Sequence, residues 1–135
     1  MDDTHTFFWL VGVLEGEGTF LWYPNKGKAI IEMEMKDEHV VARVAALWGV
    51  SYYRRDRRER NPNSAVTYQV RLTGVRAIQL MERLAPYMSP RRQRTITRVT
   101  MGYRASHPNM PEAGRVPLLT LTHVPYTLLA GEPNG

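Results

Sequence analysis

A chain of 135 residues with 18 Lys and Arg against 13 Asp and Glu has a formal net charge of +5 and a pI near 9.8, a balance that favours a polyanionic partner. With no cysteine, disulfides and thiolate metal sites are excluded. No apolar run approaches the roughly 18 residues that cross a bilayer, and the N-terminus lacks a basic-then-apolar signal. The expectation is a single intracellular, cytoplasmic domain with no membrane partner.

Asp3 or Thr4 can cap a first helix running from about residue 5 to Gly16. Phe7, Phe8, Leu10, Val11, Val13 and Leu14 make it apolar nearly all round, which predicts a buried helix. Gly12 and Gly16 share one helical face, where a second backbone could come close, and Gly18 stops the helix. Glu15 and Glu17 fall at the inner end of this segment, and a buried carboxylate requires a cation, an arginine or a metal.

Thr19 to Tyr23 reads as a strand, and Pro24-Asn25-Lys26-Gly27 as a turn. Lys28 to Lys36 alternates, with Ile31, Met33 and Met35 on one side and Glu32, Glu34 and Lys36 on the other. Asp37 caps a second helix that Gly49 closes, with Val40, Val41, Val44, Ala45, Leu47 and Trp48 as its stripe. A third strand is expected from Val50 to about Arg60, followed by a turn at Asn61-Pro62-Asn63-Ser64. The fourth places Val66, Tyr68, Val70 and Leu72 inward and Thr67, Gln69, Arg71 and Thr73 outward, until Gly74 breaks it. Helices from Val75 to about Leu84 and from Pro90 to about Arg104 follow, the latter capped by Ser89 with Ile96, Val99 and Tyr103 on its core side. Residues 105–135 hold five prolines and read as an irregular tail, in which the apolar PLLTLTHVPYTLL should lie against the domain or a partner.

The arginines cluster twice. RRDRRER at 54–60 holds five, and Arg91, Arg92, Arg94, Arg98 and Arg104 add five more with no acid between them. His5, His39, His107 and His123 have no ligand spacing, and no phosphate loop or nucleotide fingerprint occurs.

Leu10 to Gly18, LVGVLEGEG, resembles the LAGLIDADG signature of the homing endonucleases: it keeps the leading leucine, every glycine and both acidic positions, each as Glu. The element order α-ββ-α-ββ-α-α, reached from periodicity alone, coincides with that family's αββαββα core over Phe7 to Arg104. The resemblance implies an α+β fold in residues 1–104, with a four-stranded antiparallel saddle sheet and helices on one face, plus a last helix and the proline-rich tail. It implies a site-specific double-strand DNA endonuclease. The alternative is an RNA maturase or a catalytically silent DNA-binding protein on the same fold.

By the same resemblance Glu17 and the backbone oxygen of Gly16 hold a divalent metal, Mg2+ with Mn2+ able to substitute, while Glu15 is architectural. One motif per chain implies a homodimer, packed through Val11, Gly12, Glu15 and Gly16, acting on a pseudo-palindromic duplex. The basic residue beside the scissile phosphate corresponds to Arg91, with Arg92 close behind. The polar residue near the end of the second strand corresponds to Lys36, with Glu34 as alternative. DNA would meet the outward sheet face through Tyr23, Asn25, Lys26, Lys28, Glu32 and Glu34 of the first hairpin and through Thr67, Gln69, Arg71 and Thr73 of the fourth strand. Arg54, Asp56, Arg58 and Arg60 complete that set, Arg55 and Arg57 reaching toward phosphates instead.

Overall fold

A computed structural model describes residues 3–110, so the expectations for the tail beyond them fall outside the described residues. Helix α1, Asp3–Glu17, leads directly into β1, Gly18–Tyr23. A single 3-10 turn, Pro24–Lys26, ends on Gly27 at φ 59°, a left-handed conformation suited to glycine, and β2, Lys28–Met35, returns antiparallel. Helix α2, Glu38–Trp48, β3, Tyr52–Arg55, β4, Thr67–Thr73, and α3, Val75–Leu84, come next. A 3-10 turn at Ala85–Tyr87, carrying Pro86, leads to α4, Pro90–Ser106.

The four strands form one antiparallel sheet in the order β1-β2-β4-β3. Register settles its two faces. Phe20 lies opposite Ile31, Ile31 opposite Leu72 and Met33 opposite Val70, and all five are buried against the helices. They pack with Leu10 and Leu14 of α1, Val44 and Trp48 of α2, Ile78 and Met81 of α3 and Ile96 and Val99 of α4 in one continuous core. The opposite face carries Thr19, Glu32, Arg71, Gln69 and Tyr53 in the same register and gives no residue to that core, although Ile30 and Gln69 on it are themselves buried.

Local punctuation explains the helix ends. The Asp37 carboxylate accepts from the N–H groups of His39 and Val40, and Gly49 at φ 69° closes α2. The Ser89 hydroxyl caps α4 by accepting from the Arg92 N–H, with Pro90 in the first turn.

Three expectations need correction. Asp3 and Thr4 lie within α1, whose first described residue, Asp3, is buried; neither stands outside the helix as a cap. The helix is also not buried all round, since Phe8 is 44% exposed and Gly12 and Gly16 lie open. The third strand is far shorter than expected: it stops at Arg55 because the Asp56 carboxylate accepts the N–H of Arg58 and turns the chain away. Arg57 O then receives the N–H groups of Arg60 and Asn61, so residues 56–66 form a looping turn and not a strand. Val66 precedes β4 and α4 runs on to Ser106.

Candidate functional site

The last turn of α1 and the uncovered sheet face meet at one end of the molecule. Gly18 pairs with Met33, which carries the end of β2, including Glu34 and then Lys36, past the level at which α1 stops. Glu17, the last residue of α1, is exposed, contrary to its expected burial. It stands at a helix C-terminus with no basic residue in the final turn. Carbonyls left unpaired there and the negative pole of the helix favour a cation.

The two acids of the motif therefore part company. Glu15 is turned into its own chain: its carboxylate accepts from the Ser89 N–H at 2.7 Å and the Ser89 hydroxyl at 2.9 Å, with the Arg92 Nε 3.8 Å away. These hydrogen bonds, foremost the Ser89 backbone, and the charges of Arg92 and Arg91 hold the Glu15 carboxyl below its ordinary value against the opposing effect of desolvation. Arg92 also donates to the Glu15 carbonyl at 3.0 Å and stacks over Phe20, leaving its side chain 12% exposed. Desolvation pushes Arg92 down from its usual value, yet a guanidinium keeps its proton. Arg92, expected on DNA, is thus a strut between α4 and α1. Arg91 is exposed beside this junction, close enough to act on Glu15 through its charge.

The expected dimer face divides in the same way. Val11 is only 8% exposed within its own core, and Glu15 is engaged by α4. Gly12 and Gly16 remain open: a Cβ added at either would meet nothing within 4 Å. Phe8, four residues before Gly12, extends this bare stripe and packs edge-on against the exposed Tyr87.

On the uncovered sheet face the charges are paired with one another. Arg71 Nε donates to Glu32 at 2.6 Å, directly across the β2–β4 register. Glu34 accepts from Arg57 at 2.6 and 3.3 Å, from the Thr67 hydroxyl at 2.5 Å and from the Gln69 amide at 3.4 Å. The Arg57 hydrogen bond is the main reason its carboxyl lies below the ordinary range. Of the two residues that could occupy the polar position near the end of β2, Glu34 is thus committed to this network, whereas Lys36 is exposed just past the strand.

Register inverts the expected assignment of the basic run. Arg54 pairs with Tyr68 and belongs to the helix-side face, whereas Arg55 pairs with Thr67 and lies on the uncovered face with Tyr53. Tyr52, whose hydroxyl donates to Glu38 of α2 at 2.8 Å, locks that frame. Asp56 binds Arg58 at 2.7 and 2.9 Å and approaches Arg54 at 3.6 Å, so one carboxylate at the end of β3 serves two guanidiniums and offsets only part of their charge. Arg60 is exposed in the same turn. A shallow depression on the uncovered face joins Tyr53, Arg55, Gln69, Arg71 and Thr73. Sequence reasoning missed Thr19 and Tyr53 on this face and misassigned Arg55. The adjacent tyrosines 52 and 53 offer no alternation from which to choose a frame. Tyr23, Asn25, Lys26 and Lys28 are all exposed at the outer end of the first hairpin.

Metal fit can be judged from the donors. The Glu17 carboxylate and the Gly16 carbonyl are hard oxygens, the type Mg2+ selects. Among the described residues no three His, Asp or Glu side chains gather as a ligand group.

A four-stranded antiparallel sheet with four helices on one face and one face bare is an α+β fold matching that of the homing endonucleases. The chain is similar to the homing endonuclease I-CvuI in complex with its target in the presence of 2 mM Ca, with a TM-score of 0.52 and 14% identity over 73% of this chain and 66% of that one. A second I-CvuI structure, with the I-CreI target, 2 mM Mg and DNA not cleaved, gives a TM-score of 0.49 at the same identity and coverage. The chain thus spans just under two-thirds of the I-CvuI chain, and the likeness is one of fold. No protein-family model and no curated protein matches the sequence. No helix among the described residues is long and apolar enough to cross a membrane.

Proposed function

We propose that this chain is a homodimeric, metal-dependent, site-specific DNA endonuclease. The observation that carries the reading is the exposed Glu17 that ends α1, on the helix that also bears the open Gly12 and Gly16. A second copy packed on the glycine face would bring two Glu17 carboxylates together, one for each strand of a duplex. A divalent cation there would neutralise phosphate charge and activate water for phosphodiester hydrolysis. Glu17 and the Gly16 carbonyl would hold it, with phosphate oxygens and the second copy completing the shell. Arg91 would hold the scissile phosphate, and Lys36 would orient water at the end of β2.

The bare sheet face would lie in the major groove, where base edges are distinguishable. Arg55, Gln69, Arg71 and Thr73 on its β4–β3 half, with Thr67 and the hairpin residues Tyr23, Asn25, Lys26 and Lys28, would contact the duplex. Glu32 and Glu34 could accept from cytosine amino groups once their arginine partners turn to DNA.

The test is cleavage of a plasmid carrying the sequence that flanks the gene, in Mg2+ and then in chelator, by the wild type and by Glu17→Gln. Mg2+-dependent cutting that E17Q loses while still binding the duplex supports the reading. Tight binding without cutting by the wild type leaves a silent DNA binder, and preference for the gene's own RNA leaves a maturase.

A further inference from the structure

Six of the fifteen arginines are paired with carboxylates of the same chain. In the 54–60 run, Arg57 is taken by Glu34 and Arg54 and Arg58 by Asp56. Arg71 is taken by Glu32, Arg92 by Glu15 and Arg104 by Glu82. Arg55 and Arg60 are exposed outside these pairs, and so, as a row on one helix, are Arg91, Arg94 and Arg98. All three are exposed on α4, none has an ion-pair partner among the described residues, and α4 contains no acid.

Their placement is specific. Spaced i, i+3 and i+7, they share one side of the helix, opposite the buried Ile96, Val99 and Tyr103. At about 1.5 Å per residue the row covers about 10 Å, roughly three nucleotides of rise along a DNA strand. The helix packs against the edge strand β1: its start is held to α1 by Glu15 and Ser89, and its end lies against Trp22, where a Cβ on Gly102 would come within 2.7 Å of the indole. Gly102 continues the Arg91–Arg98 stripe at i+11, so the flank that bears these arginines is the one turned toward the sheet edge.

We propose that Arg94 and Arg98 form a phosphate rail along the rim of the sheet. It continues from Arg91 and grips the sugar-phosphate backbone of the duplex as it leaves the bare face. The rail reads no bases; it adds positive charge beyond a sheet face on which Arg57 and Arg71 are already paired with Glu34 and Glu32. This inference rests on the nuclease reading in taking a DNA duplex as the occupant.

The experiment measures duplex binding by fluorescence anisotropy over a series of KCl concentrations, with chelator present. It uses the full-length wild type, the Arg94→Gln/Arg98→Gln double variant and an Arg94→Lys/Arg98→Lys control. The flanking-sequence duplex and a scrambled one are compared. The glutamine variant should flatten the slope of log affinity against log salt by about 1.8 per chain, at about 0.9 per lost phosphate contact. Its affinity for both duplexes should fall by the same factor, and the lysine control should keep the wild-type slope. Wild-type binding with an unchanged slope in the glutamine variant overturns the rail alone. A selective loss on the flanking sequence also overturns it, because that would be base readout. A wild type that binds neither duplex removes the nuclease reading itself.

Discussion

Arg57 and Glu34, twenty-three positions apart, are joined by two hydrogen bonds of 2.6 and 3.3 Å that strap the 56–66 turn across the bare sheet face. A run of five arginines is thereby partly discharged before any ligand arrives, and the turn after β3 acquires a fixed seat.

This pair should make stability sensitive to acid. The Glu34 carboxyl is held below its ordinary 4.5, chiefly by the Arg57 hydrogen bond. A depressed folded value contributes stability that is complete above the unfolded value and lost as pH falls through the folded one. With Arg57 about half exposed, solvent screening keeps the contribution small. Urea unfolding at stepped pH should show Arg57→Ala losing less stability on acidification below 4.5 than the wild type. Parallel profiles would count against the strap.

Glu15→Ala should loosen the junction of α1 and α4. It removes the acceptor of two Ser89 hydrogen bonds and leaves Arg92 largely buried without its carboxylate. Because about a third of the Glu15 side chain is exposed, the expected loss is about 1–2 kcal/mol, at the lower end of what an orphaned charged partner costs. Denaturant midpoints measure it, and an unchanged midpoint would deny the strut.

Gly12→Leu separates folding from association. A side chain there enters open space, and replacing glycine inside a helix should stabilise the single chain by up to about 1 kcal/mol. The same side chain would block a second copy from closing on the glycine face. Sedimentation equilibrium should show a dimeric wild type and a monomeric, folded variant; a monomeric wild type refutes the interface.

Gly102→Ala reverses that logic on the same principle. Its Cβ would lie 2.7 Å from the Trp22 ring, so the crowding of a packed contact should outweigh the helix propensity gained, at a net cost of about 1–3 kcal/mol. A lowered thermal midpoint with a shifted Trp fluorescence maximum is expected. A raised midpoint would show that the indole moves aside at little cost.

What was legible in the chain was legible because it is local. Asp37 and Gly49 bound α2, Ser89-Pro90 starts α4 and Gly27 turns the first hairpin, each through hydrogen bonds or dihedrals within a few residues. The order of elements, and with it the fold class, follows from such punctuation and from apolar periodicity. The frame of β3 was not legible, since Tyr52 and Tyr53 are equivalent until Glu38 and the β4 register choose between them. Nor could the strand's end be read from its charge, because Asp56 stops it by accepting a hydrogen bond that a continuous arginine run does not announce.

The sequence by itself determined that two acids stand among glycines at the end of an apolar helix. Only the tertiary structure decided that Glu15 turns inward to Ser89 and Arg92 while Glu17 faces solvent beside a bare helix face. The physical reason is distance along the chain. A helix repeat fixes which residues share a side, but which side meets α4, seventy-four residues later, depends on how the whole core packs. The same holds for the arginines, whose number is a property of composition and whose availability depends on which carboxylates the fold sets against them.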